Sequence, residues 1–91
     1  MEEFRAIVSG RVQMVMFRDF TARNARSLHV AGEVRNLPDG SVEVVAEGSG
    51  EALEKLLGKI EKGPILAAVE HVSVSWEEPS GTFDDFRIAY V

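Results

Sequence analysis

Residues 4–9 alternate, with Phe4, Ala6 and Val8 on one side and Arg5, Ile7 and Ser9 on the other, the period of a strand with one buried face. Gly10 is expected to break that strand. At Phe17 the period changes. Phe17, Phe20, Thr21, Ala25 and Leu28 follow helical spacing, while Arg18, Asp19, Arg23 and Arg26 fall mostly on the wet side, which predicts a helix over 17–28. Residues 30–37 return to a period of two, with Val30, Gly32, Val34 and Asn36 sharing a face. In the LPDGS run after them, Pro38 presets φ, Asp39 can accept from nearby backbone and Gly40 tolerates positive φ. Residues 41–47 answer as a third strand, so the second and third strands form a hairpin.

Ser49 is placed to cap a second helix, and Glu51 suits the positive end of its dipole. Leu53, Leu56, Leu57 and Ile60 give that helix a narrow apolar stripe, and Gly63-Pro64 stops it. Residues 69–76 read as a fourth strand carrying Val72, Val74 and Trp76 on one face. EEPSGT reads as a loop, and Phe86, Ile88 and Tyr90 suggest a short closing strand. The order strand, helix, strand, strand, helix, strand, with a tail strand, predicts an α+β fold. It is the ferredoxin-like (split βαβ) two-layer sandwich, two helices packed on one face of a mostly antiparallel four- to five-stranded sheet. The first and second strands of such a unit run parallel, so their ends lie at one edge of the sheet. Residues 10–18 and the region of Asn36 should therefore meet.

With 91 residues the chain suits one domain over 1–91. Its 45% hydrophobic and 27% charged residues argue against disorder. No apolar run approaches the roughly 20 residues that cross a bilayer, and the start, MEEFRAIV, lacks the basic opening of a secretory signal. Cysteine is absent, which excludes disulfide and thiolate chemistry and suits a reducing cytoplasm. A net charge of −5 works against a nucleic-acid partner, whose affinity draws on clustered Lys and Arg. A local anion site needs much less: one or two cations and some free N–H groups.

The stretch SGRVQMVMFRDF offers that much. A loop leaving a strand for a helix presents N–H groups without intrahelical acceptors, and Arg18 adds a permanent, planar charge. On spacing alone, an arginine there is equally read as a solvated surface residue or as a partner of Asp19.

The residues carry a family resemblance. GRVQMVMFR closely resembles the acylphosphatase signature Gly-Arg-Val-Gln-Gly-Val-x-Phe-Arg, matched by Gly10, Arg11, Val12, Gln13, Val15, Phe17 and Arg18. The second signature, Gly-x-Val-x-Asn-x-x-Asp-Gly-x-Val, is matched by Gly32, Val34, Asn36, Asp39, Gly40 and Val42. Gly63-Pro64 with Ala67 and Val69, and Phe86-Arg87-Ile88, are similar as well, so the resemblance covers nearly the entire chain. It implies a monomeric, cytoplasmic hydrolase that cleaves acyl phosphates to a carboxylate and inorganic phosphate without metal or other cofactor. It further implies that Arg18 and the amides of Gln13, Met14, Val15, Met16 and Phe17 bind the phosphoryl group, while Asn36 positions the water for in-line attack. Two rivals stand beside it. One is a non-catalytic module of the same shape that binds an anion or a partner. The other is a nucleic-acid reader, which would want exposed aromatics on a basic sheet; Phe4, Trp76 and Phe86 read more simply as core.

Met14 departs from the family pattern, which has glycine there. If the position needs positive φ, methionine costs about 1–2 kcal/mol. Met14 and Met16 are either flexible packing fillers or part of the loop's rim, where Met14 could lie over the acyl group. His29, at a helix end, suits a left-handed cap. His71 alternates outward, and Asp84 and Asp85 are poorly placed for paired acid–base work.

Overall fold

The structure, a computed structural model, describes residues 1–90. Seven elements make up the chain in order: β1 (Glu2–Arg11), α1 (Phe17–Ser27), β2 (Ala31–Asn36), β3 (Val42–Gly48), α2 (Gly50–Lys62), β4 (Ala68–Glu77) and β5 (Phe86–Ala89). The five strands form one sheet in the order β4-β1-β3-β2-β5. β3 pairs antiparallel with both β1 and β2, so β1 and β2 run parallel on either side of it. β5 is the exception to the antiparallel pattern and lies parallel beside β2. This is the two-layer split βαβ arrangement, extended by the tail strand.

The period-two faces of β1 and β3 bury as their spacing predicts, whereas Val74 and Trp76 of β4 stay exposed. Phe4, Ala6 and Val8 of β1, with Val42, Val44 and Ala46 of β3, are fully buried beneath the helices. Leu53, Leu56 and Ile60 of α2 and Ala22 and Ala25 of α1 close the core from above. Ser49 caps α2, its hydroxyl accepting from the Ala52 N–H at 3.1 Å. His29 takes φ 58 just past α1, and its N–H donates to the Arg26 carbonyl at 3.1 Å. No helix among the described residues is long and apolar enough to cross a membrane.

Gly10 does not end the first strand. The register against β4 shifts between Ser9 and Gly10, Gly10 takes φ 123, and β1 continues to Arg11. It is a bulge, which bends a strand and re-aims the residues beyond it. A Cβ at this position would collide with the Ala68 carbonyl oxygen, so glycine is required by the neighbouring strand.

β4 lies at an edge, which leaves Trp76 44% exposed although its ring meets Phe4 edge-on, 5.6 Å between centroids. On the face away from the helices, Glu43 is buried and accepts from Arg5 and, at 2.9 Å, from Arg35. The EEPSGT segment is a loop from Glu78 on, its first residue, Glu77, ending β4, and it is tied down: the Ser80 N–H and hydroxyl donate to Glu3, and the Gly81 N–H donates to Glu47.

Candidate active site

The bulge at Gly10 delivers the chain into residues 12–16, the loop between β1 and α1. Two of its residues, Met14 and Met16, stand in the left-handed region at φ 61 and φ 63. Met16 is the N-cap of α1 and supplies no side-chain hydrogen bond. The first helical bond is Phe20 N–H to the Met16 carbonyl, 3.0 Å. Among the described residues, the N–H groups from Gln13 through Asp19 have no backbone acceptor, and the helix dipole adds partial positive charge at the same point.

Arg18 is free to act there. Asp19 is bonded to Arg23 one turn on, at 2.9 Å, and no carboxylate pairs with Arg18 among the described residues. Its guanidinium instead lies over the Tyr90 ring, 4.9 Å from the centroid, a cation–π contact that orients the group and leaves its edge donors open.

Asn36 ends β2 at the edge of the sheet where β1 also ends. Its Oδ1 is buried and has no hydrogen-bond partner among the described residues, an unusual state for an interior acceptor. Arg18 and Asn36 line one cleft of about 220 Å³, together with Met14, Met16, Phe17 and Tyr90. The expected meeting of residues 10–18 with the Asn36 region is therefore observed.

Gln13 and Val15 do not line this cleft. Val15 packs against the core. The Gln13 amide donates to the carbonyls of Leu37 and Ser41, both at 2.8 Å, so its side chain ties the loop to the hairpin turn directly after Asn36. That turn is braced from within. Hydrogen bonds from the Ser41 hydroxyl, and then from its N–H, hold the Asp39 carboxyl below the usual carboxylate range.

Tyr90 and Ile88 belong to the cleft and were not predicted for it. Their alternation with Phe86 was legible, but the strand they would lie beside was not. β5 pairs with β2 so that Ala89 sits opposite Arg35, and the next residue, Tyr90, is carried to the level of Asn36. Phe86, on the same face, is buried beneath α1, which is why Tyr90 reaches Arg18 at the start of that helix.

This arrangement can hold a tetrahedral anion between open amides and a guanidinium, with a neutral acceptor beside it to receive a hydrogen bond. The family model described as Acylphosphatase matches residues 4–88. An acylphosphatase of Thermococcus kodakarensis is 55% identical over 81 residues, 89% of this chain and 88% of that protein. One of Salinibacter ruber is 49% identical over 83 residues, 91% of this chain and 87% of its own. The crystal structure of acylphosphatase from Bacillus subtilis matches with a TM-score of 0.95 at 37% identity, covering 99% of this chain and 100% of that one.

Proposed function

The chain belongs to the acylphosphatase family, and from that premise we propose that this cleft hydrolyses acyl phosphates with Arg18 as the phosphoryl grip and Asn36 as the guide for water. The single observation that carries the reading is the pairing, in one cleft, of an arginine and a buried amide oxygen that have, among the described residues, no carboxylate and no hydrogen-bond partner respectively.

The chemistry asks for little more. The departing carboxylate has a conjugate acid of pKa about 4, so it leaves without a general acid. Phosphoryl transfer then depends on alignment and on stabilising charge on the equatorial oxygens. Arg18 and the amides before it meet those oxygens with fixed donors, which need no reorganisation as charge builds. Asn36 has no basic lone pair at neutral pH. Its Oδ1 can accept one O–H of the attacking water and so aim the oxygen at phosphorus. The new bond joins water oxygen to phosphorus, and the phosphorus–acyl oxygen bond breaks. The water's spare proton passes to a phosphate oxygen, whose own pKa near 6 makes it the better base, leaving a carboxylate and inorganic phosphate. A monomeric, cytoplasmic enzyme is part of the same reading, in keeping with a chain that lacks cysteine.

The test is hydrolysis of benzoyl phosphate by the wild-type chain and by Arg18→Ala. Turnover is expected in the first. The second should lose both turnover, by at least about 10³-fold, and measurable binding of inorganic phosphate. Phosphate binding without turnover in the wild type would instead identify a non-catalytic anion-binding module.

A further inference from the structure

Neither Met14 nor Met16 does for the fold what methionine ordinarily does. The thioether is a filler of gaps in cores, yet Met14 is 98% exposed and Met16 67% exposed. Packing therefore explains little of either side chain. Both also occupy positive φ, where a side chain crowds the following carbonyl and glycine does not. Two large apolar groups are thus held in disfavoured backbone while remaining mostly exposed, and both line the cleft of Arg18 and Asn36. Tyr90, 77% exposed, lines the same cleft. Apolar surface concentrated around one small cleft marks a place where a ligand covers it.

The direction of reaction places that ligand. In-line displacement sends the acyl oxygen out opposite the attacking water. With the water at the buried Oδ1 of Asn36, the acyl group points away from the interior and out through the mouth, where the exposed side chains stand.

We propose that Met14, Met16 and Tyr90 form an acyl-selecting collar, which makes aromatic or extended apolar acyl phosphates the preferred substrates over small or polar ones such as acetyl phosphate. The inference rests on the reading of the cleft as a phosphoryl-transfer site and adds the chemical class of the acyl half. Methionine suits the task. Its flexible, polarisable chain adapts to differently shaped apolar groups and makes favourable contacts with aromatic rings, while Tyr90 offers a ring edge and face.

The experiment compares kcat/KM for benzoyl and acetyl phosphate in the wild type and in the double variant Met14→Gln, Met16→Gln, which keeps side-chain length and removes apolarity. The wild-type ratio should exceed about tenfold in favour of benzoyl phosphate, and in the variant it should fall about five- to tenfold. Calorimetric titration with two non-hydrolysable probes, phenacylphosphonate and acetonylphosphonate, should show the same narrowing in affinity. Should the double variant lack a cooperative unfolding transition, the single variant Met14→Ser carries the same comparison. A wild-type ratio near one, a ratio unchanged in the variants, or one that rises in them would overturn the collar while leaving hydrolysis intact. A wild type that neither turns over nor binds any of the four compounds would overturn the underlying reading of the site, and the collar with it.

Discussion

Arg18 and Asn36 contribute different things because their side chains can. A guanidinium is always charged and presents planar donors, so in the proposed role it serves the phosphoryl oxygens in ground and transition state alike. A neutral amide offers no such attraction, and its oxygen lies buried on a residue that lines the cleft. An acceptor left unsatisfied costs about 1–3 kcal/mol, which a correctly placed water recovers. On the proposed roles, Asn36→Ala removes the aim of the water while leaving the anion grip in place. The two signatures made both positions legible, but the residues around them were not equally so. Spacing could not decide whether Arg18 pairs with Asp19; the i,i+4 contact of Asp19 with Arg23 decides it. The conditional strain at Met14 is realised at φ 61, and Met16, at φ 63, carries the same conformation unannounced. A methionine gives no sign of left-handed backbone, unlike glycine, asparagine, aspartate or the histidine at position 29.

Elements were the most legible scale. The change of period at Phe17, the Leu53-Leu56-Leu57-Ile60 stripe and the Ser49 cap all arise from local physics and recur in the structure. Gly10 was misread because its role is set by a partner: only the proximity of the Ala68 carbonyl turns a strand-breaking glycine into a bulge within a longer strand. The end of α1 offers a direct check on local strain. His29 holds φ 58, and glycine adopts that conformation without a Cβ penalty, though it raises the entropy of the unfolded chain. His29→Gly should therefore stabilise the fold by about 0.5–1 kcal/mol, read as a higher urea midpoint with an unchanged m-value.

At the scale of the whole molecule, strand order joins the two halves of the site, since β3 inserts between β1 and β2 and leaves their ends at one edge. The class of fold was readable from element order, whereas the parallel docking of β5 that brings in Tyr90 was not, because pairing partners are long-range choices. The outer face carries one source of acid sensitivity. Burial raises the pKa of Glu43, but hydrogen bonds from Arg5 and Arg35, and then their charges, outweigh it and leave the carboxyl below its usual range. A depressed folded-state pKa stabilises above the unfolded value, near 4.3, and that contribution is lost as pH falls through the folded value. Glu43→Gln should cost about 1–3 kcal/mol at neutral pH and flatten the fall in stability below about pH 4.3, measured by denaturant unfolding across pH. The most direct test of the central division of labour is made on Asn36→Ala, by titrating inorganic phosphate and assaying benzoyl phosphate on the same preparation. Phosphate affinity within about threefold of wild type with turnover reduced at least about 10²-fold is the predicted result; turnover near wild type, or affinity lost in step with turnover, would contradict it.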